Sequence, residues 1–211
     1  MKSILHFLTL AFSISLACAA DKGKPVSLFD GKTFNGWEGD TQKTWRIVDG
    51  AIVGGTLSER VPRNEFVATK RSYTNFILRL KFKLLGTEGF VNGGVQIRSQ
   101  RATNPPNEMI GYQADIGDGW WGALYDETRR NKVLTKPEAG VVEKILKRNE
   151  WNDYEIRCEG KRIRLSINGT QTIDYTEPDD SIPQHGLIGL QVHGGGKTEI
   201  SYKEITIEEL P

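Results

Sequence analysis

The sequence predicts an all-β protein, a two-sheet antiparallel sandwich of jelly-roll topology. Short runs in which apolar and polar residues alternate with period two recur along most of the chain. Turn dipeptides punctuate them, at Asp30-Gly31, Asn35-Gly36, Asp49-Gly50 and Asn168-Gly169. No extended segment carries the 3.6-residue period of a helix, and no repeat or low-complexity tract interrupts the pattern. Alternation bounded by turn residues is the signature of half-buried strands, and many short strands without long linkers pack as two sheets.

The first twenty residues stand apart. One charge, Lys2, precedes an apolar run from Ile4 to Leu16 and the small residues Ala17 to Ala20, the form of a secretory signal peptide. The run is too short to span a bilayer comfortably. Residues 1–20 are read as this leader and 21–211 as one domain, exported to the periplasm or the extracellular space. A rival reading makes Cys18 a lipidated N-terminal cysteine; against it, Ser15 stands three residues before the cysteine where a leucine is expected. Without the leader, 191 residues carry 27 basic and 27 acidic side chains, so there is no electrostatic footprint for nucleic acid or an anionic membrane. Cys158 follows Tyr154 and Ile156 on one strand face and reads as a small core residue; with Cys18 gone or acylated it has no disulfide partner.

In chain order, Ser27 to Trp37 alternates short apolar pieces with turns. A two-residue loop at Asp49-Gly50 pairs Val48 with Ala51 and Ile47 with Ile52, a self-consistent hairpin register. Val53 to Glu65 reads as irregular. Phe76, Leu78, Leu80, Phe82 and Leu84 alternate with Ile77, Arg79, Lys81 and Lys83, the cleanest strand and a central one. Val141, Val142, Ile145 and Leu146 fit one amphipathic turn of helix or a buried loop. After the strand Trp151 to Cys158, a three-residue loop, Asn168 to Thr170, sets Leu165 opposite Ile173 and Ile163 opposite Tyr175, with a bulge expected at the glycine. In the last strand, Ile200, Tyr202, Ile205 and Ile207 change phase, which implies another bulge.

The chemistry concentrates between Gly93 and Arg130. Because successive side chains of a strand alternate in face, Val95 and Ile97 oppose Gln96 and Arg98, and Ala114 and Ile116 oppose Gln113 and Asp115. Near the C-terminus Ile188, Leu190 and Val192 oppose Gln191 and His193. If these strands share a sheet, six hydrogen-bonding or ionisable groups meet on one surface. Alternation alone is also what any half-exposed sheet shows, and Arg98 with Asp115 is equally read as a cross-strand ion pair. Trp120 and Trp121, side by side in the glycine-bearing loop 117–122, suit stacking on a sugar ring, or for one of the two, capping of the core. Tyr125 and Glu127 follow on one face, and Arg129 is placed to pair with Glu127.

No Gly-x-Ser-x-Gly elbow, phosphate loop or His-Glu-x-x-His helix is present, nor the Glu-x-Asp-x-x-Glu strand of laminarinase-type retaining glycosidases. The segments LFDGKTFNGW (28–37), WRIVDGAIVGG (45–55), FILRLKFKL (76–84), NGGVQIRS (92–99), GYQADIGDGWWGALYDETRR (111–130), WNDYEIRCEGKRIRLSINGTQTIDY (151–175) and GLIGLQVHGG (186–195) resemble the 3-keto-disaccharide hydrolase domain family. That resemblance implies a concanavalin A-like sandwich and cleavage of glycosides already oxidised to a ketone at sugar C3. The ketone acidifies the C2 proton, so a base can remove it and the aglycone at C1 can leave. On this reading His193 or Asp115 is the base, and Glu127 and Tyr125 protonate the leaving group or touch the sugar. Gln96, Arg98, Gln113, Trp120, Trp121, Arg129 and Gln191 hold the sugar or the enolate. A divalent metal held by Asp115, Glu127 or His193 is a further candidate. The partner is an oxidised carbohydrate. The alternative is a non-catalytic carbohydrate-binding module using the same face, and a purely structural domain would show no converging polar surface.

Overall fold

The computed structural model describes residues 23–211, so the leader, Cys18 and the expectations resting on them lie outside the described residues. In chain order the strands are β1 (Val26–Ser27), β2 (Trp37–Glu38), β3 (Trp45–Val48), β4 (Ala51–Gly55), β5 (Glu65–Thr69), β6 (Phe76–Gly89), β7 (Asn92–Arg101), β8 (Met109–Gly117), β9 (Leu124–Glu127) and β10 (Lys132–Thr135). One helical turn, α1 (Val141–Ile145), precedes β11 (Asn152–Glu159), β12 (Arg162–Ile167), β13 (Thr170–Thr176), β14 (Leu187–Val192) and β15 (Gly196–Glu209). The first sheet runs β13-β12-β11-β6-β15-β4-β3 with β1 beside β15, and the second runs β10-β9-β8-β7-β14-β5-β2. Strands distant in sequence are thus neighbours, as a jelly-roll sandwich requires.

The two inner faces make one core. Phe76, Leu78, Leu80, Phe82 and Leu84 of β6 meet Val95, Ile97, Tyr112, Ala114, Ile116, Ile188, Leu190 and Val192 of the second sheet in a single apolar cluster. β6 lies at the centre of its sheet, between β11 and β15, as its unbroken alternation predicted. Cys158 is fully buried in the same cluster. Burial of a large apolar side chain contributes about 1.5–3 kcal/mol, so packing can hold the sandwich without a disulfide.

Registers bear directly on the sequence reading. The hairpin at Asp49-Gly50 pairs Val48 with Ala51 and Ile47 with Ile52, as expected. In the β12–β13 hairpin Leu165 faces Ile173 and Ile163 faces Tyr175, also as expected, but the device differs. The turn is the two residues Asn168 and Gly169, both at positive φ, and Ile167 pairs with Thr170. The register then slips between Leu165 and Ser166, so the extra residue sits at Thr172 instead of at the glycine. The phase change in β15 is a bulge between Lys203 and Thr206, with Glu204 at φ 53°. Of Val53 to Glu65, read as irregular, Val53 to Gly55 complete β4 and Glu65 opens β5, a buried strand of the second sheet; the stretch between them is loop.

Arg98 corrects the expected polar row. At φ 50° it sits in an irregularity where the β7–β8 register shifts between Ile97 and Gln100, so strict alternation fails at this point. Its guanidinium leaves the row and donates to the carbonyls of Thr74 (2.8 Å) and Gly160 (2.6 Å) and to Gln184 Oε1 (2.6 Å). Arg98 therefore ties three loops together and does not pair with Asp115. Replacing it with alanine is expected to cost about 3 kcal/mol, because it strands several buried acceptors of a charged donor. Urea unfolding measures this, and a loss below about 1 kcal/mol would contradict the clamp role.

Candidate active site on the second sheet

The site begins with two glycines. In β7, Gly94 pairs with Asp115 of β8 on one side and Gln191 of β14 on the other, and in the neighbouring row Gln96 pairs with Gln113 and Gly189. With no side chain at Gly94, that of Gln113 lies over the strand: a Cβ there would fall 2.8 Å from Gln113 Cγ and Cδ. The polar side chains Gln96, Gln113, Asp115 and Gln191 are nevertheless buried, and Phe66, Ala68 and Met109 form a small apolar cluster on the same sheet. Four groups join in a directional chain. Ser99 Oγ donates to Gln96 Oε1 (2.6 Å), Gln96 Nε2 to Gln113 Oε1 (2.9 Å), and Gln113 Nε2 to Asp115 Oδ1 (2.8 Å). One carboxyl oxygen of Asp115 is thereby fixed; the other, Oδ2, is buried without a hydrogen-bond partner. Gly94→Ala is expected to displace Gln113 and lower turnover at least tenfold with the circular dichroism spectrum unchanged; wild-type turnover would show that the chain does not orient Asp115.

Around this floor is a pocket of about 210 Å³. Asn92, Gln113 and Asp115 line it from the sheet, Tyr125 and Glu127 from β9, Trp120 from the loop after β8, and Phe90 and His193 from the opposite side. Trp120 meets Tyr125 edge to face with ring centres 5.8 Å apart, and Phe90 meets His193 in the same manner at 4.6 Å. Two aromatic pairs thus wall a polar floor, an arrangement suited to a sugar, which has apolar ring faces and hydroxyl edges.

Burial sets the protonation of the floor. Removed from water, Asp115 is pushed up to about 8; the hydrogen bond from Gln113 opposes this, and the charge of Glu127 adds to the rise to a smaller degree. Glu127 is raised to about 7 by burial and by the charge of Glu108, while the Gln191 side chain favours its ionised form. Gln191 Nε2 reaches Glu127 Oε2 at 3.4 Å across the two intervening strands, and Gln191 Oε1 is left buried without a partner. His193 goes the other way, since burial disfavours the imidazolium and lowers its pKa. Its Nδ1 lies 2.7 Å from the Gly194 carbonyl. Nδ1–H as the donor to that oxygen leaves Nε2 with the lone pair. Gly194 is held in turn, its N–H donating to Asn64 Oδ1 at 3.0 Å.

The structure gathers Gln113, Asp115, Trp120, Tyr125, Glu127 and His193 around one pocket, with Gln96 and Gln191 bonded behind or beside them. It separates others. Arg129 does not pair with Glu127: Thr128 at φ 60° turns the chain, and Arg129 Nε binds Asp126 Oδ1 at 2.9 Å with the guanidinium over the Tyr112 ring. Trp121 stacks on Phe82 of the core and donates Nε1–H to Asp118, so of the two indoles only Trp120 lines the pocket. Sequence reading missed Phe90, Asn92, Asn64 and Glu108. The first two lie just before the Gly93-Gly94 pair, and paired glycines inside a strand were the available signal of a close approach there; nothing in their own pattern distinguishes the other two. Asp115, Glu127 and His193 share the pocket without forming a metal-holding set, and among the described residues no group of three His, Cys, Asp or Glu side chains does so.

Fold and pocket define a jelly-roll sandwich with a polar, aromatic-walled pocket on one sheet. The chain belongs to the family of 3-keto-alpha-glucoside-1,2-lyase-like domains, which it matches over residues 24–208, and this family is carbohydrate-related. No curated protein matches it. Among solved structures, a protein of Parabacteroides distasonis ATCC 8503 provisionally named a glycosyl hydrolase is similar at 19% identity and a TM-score of 0.66, over 90% of this chain and 94% of that one. The carbohydrate-binding module CBM66 of Bacillus subtilis is similar at 18% identity and a TM-score of 0.63, over 82% and 96% of the two chains. A legume lectin-like domain from Entamoeba histolytica shares the fold at 13% identity and a TM-score of 0.55, over 84% and 91%. Among the described residues no helix is long and apolar enough to cross a membrane.

Proposed function

We propose that this protein is an exported enzyme that cleaves 3-keto-glycosides by removing the C2 proton and expelling the C1 substituent. One observation carries the reading. A neutral histidine of fixed tautomer and two carboxyls with raised pKa values share one pocket, and one carboxyl oxygen there is buried without a partner. Groups poised this way suit proton transfer, which sugar binding alone does not require. His193 Nε2 takes the C2 proton. Asp115, neutral below about pH 8, donates its Oδ2 proton as a hydrogen bond to the oxygen that becomes an enolate at C3. Glu127, near 7, supplies the proton to the departing oxygen, with Tyr125 beside it. Elimination leaves a double bond between C1 and C2 conjugated to the ketone; water then adds at C1 and a proton returns to C2.

The fold also hosts pure binding modules, which keeps sugar binding without turnover as the second reading. A chromogenic glucoside and its 3-keto derivative separate the two. Release from the keto compound alone is the expected result. Release from neither, with both retained on the protein, would leave the binding reading, and release from the unoxidised glucoside would point to ordinary glycosidase chemistry.

A further inference from the structure

Among the described residues five carboxamide side chains are buried, those of Asn92, Gln96, Gln113, Asn152 and Gln191. Four of them donate through their nitrogen: Gln96 to Gln113, Gln113 to Asp115, Asn152 to the carbonyls of Lys147 and Glu150, and Gln191 to Glu127. Asn92 is 3% exposed and lines the pocket, yet among the described residues its side chain makes no hydrogen bond. Buried polar groups are nearly always paired, so an unpaired amide at a pocket wall calls for a partner on the ligand.

The strands set this amide between Asp115 and His193. Asn92 pairs with Gly117 of β8, while Gly94, two residues on and on the same face of β7, pairs with Asp115. On the other side the Asn92 carbonyl accepts the His193 N–H at 3.0 Å, which ties the strand carrying the amide to the histidine. A Cβ on Gly117 would fall 2.6 Å from Asn92 Nδ2, so the carboxamide reaches over β8 at this glycine, on the same strand and face as Asp115. The neighbouring row is built alike, with Gln113 lying over Gly94. Residues 115 and 117 are about 7 Å apart along a strand, so a ligand oxygen between Asp115 and the amide has a donor on each side. A ketone oxygen accepts both bonds and has no proton to place, whereas a hydroxyl there also needs an acceptor.

We propose that Asn92 is a further catalytic residue, whose Nδ2 donates together with Asp115 to the C3 oxygen of the oxidised sugar. This rests on the cleavage reading above, and deepens it. As His193 Nε2 takes the C2 proton, the C2–H electrons form a C2–C3 double bond and the carbonyl pair moves onto the C3 oxygen, where both donors meet the charge. The pair then returns to the C3–O bond, the C1–C2 double bond forms, and the C1 oxygen leaves with the proton from Glu127. The test uses the full chain with Asn92→Ala and with Asn92→Leu, which nearly keeps the side-chain volume while removing the donor. For methyl 3-keto-glucoside each variant is expected to lower kcat about 100-fold, the scale of one lost oxyanion donor, while KM changes less than threefold. An unchanged kcat would overturn the role, and so would a raised KM with kcat kept, which marks an anchor for a hydroxyl. Calorimetric titration with 1,5-anhydroglucitol and its 3-keto derivative, which carry no substituent at C1, reads the contact apart from turnover. The wild type is expected to bind the ketone at least tenfold more tightly, and both variants to lose at least fivefold of that preference. Loss of the preference supports the contact even if no glycoside is cleaved. A preference absent from the wild type, or unchanged in both variants, refutes it even if cleavage is confirmed.

Discussion

His193→Ala is expected to lower kcat/KM for a 3-keto-glycoside by about 100- to 10,000-fold, the usual contribution of a positioned general base, with the fold intact. The side chain is part-buried at the pocket wall and makes one hydrogen bond, to the carbonyl of the next residue, so its removal disturbs no network beyond the site. Burial keeps the imidazole neutral to lower pH than usual, and the Gly194 carbonyl selects the tautomer that leaves Nε2 basic. In the wild type kcat/KM should therefore rise with pH below the ordinary histidine range, and in His193→Ala this acid limb should vanish. Added imidazole should restore part of the rate. A variant within threefold of wild type would remove His193 from the mechanism.

Asp115→Ala is expected to cost about 100- to 1,000-fold in kcat, the scale of losing one oxyanion-stabilising donor. Asp115→Asn should fall between, because an amide nitrogen in the place of Oδ2 still donates. This ordering separates the two roles open to the residue. A base at this position would be abolished equally by both changes, and its rate would climb through pH 8. As a donor, Asp115 instead makes activity decline across pH 7–8, where the Glu127–Asp115 pair gives up its protons. Stability carries the same signature. The carboxyl titrates near 3.8 when free and about 8 when folded, so the native state binds the extra proton between these values. Stability is then greatest at the acid end of that window and erodes as pH rises through it. Asp115→Asn should be more stable than the wild type at pH 8.5, by on the order of a few kcal/mol, and the advantage should shrink toward pH 4. Denaturant melts at the two pH values measure it, and a less stable variant at pH 8.5 would contradict the burial of an uncompensated carboxyl.

Most of the sandwich was legible in the sequence because its strands obey the period-two rule over long runs, and β6 shows this best. The polar row of Gln113 and Asp115 was legible for the same reason, since β8 pairs with β7 in regular register from Asn92 to Ile97. The misplaced residues lie where that register breaks. Arg98 and Thr128, just before Arg129, adopt positive φ, and each turns the next stretch of chain toward another face. Periodicity contains no signal for such a break when the residue is not glycine. In the β12–β13 hairpin the pairing was right and the bulge wrong, because one extra residue gives the same facing partners wherever it is inserted between turn and pair. Of the two tryptophans, Trp121 packs on the core, as read for one of the pair, and Trp120 lines the pocket: a single step along a glycine-bearing loop sends neighbouring indoles to different environments. Phe90 and Asn64 come to the pocket from loops, where no pattern links sequence to position.

Isotopic labelling at C2 tests the proposed reaction most directly. When a 3-keto-glycoside is cleaved in deuterium oxide, elimination followed by addition of water is expected to place deuterium at C2 of the released 3-keto-sugar, and a substrate deuterated at C2 is expected to react more slowly. Proton NMR of the product, with the free 3-keto-sugar incubated alongside to subtract its own exchange, should show that replacement. A product keeping its original C2 hydrogen, with no slowing of the C2-deuterated substrate, would mean that the C1 bond is broken without enolisation, and the roles assigned to His193 and Asp115 would fall with it.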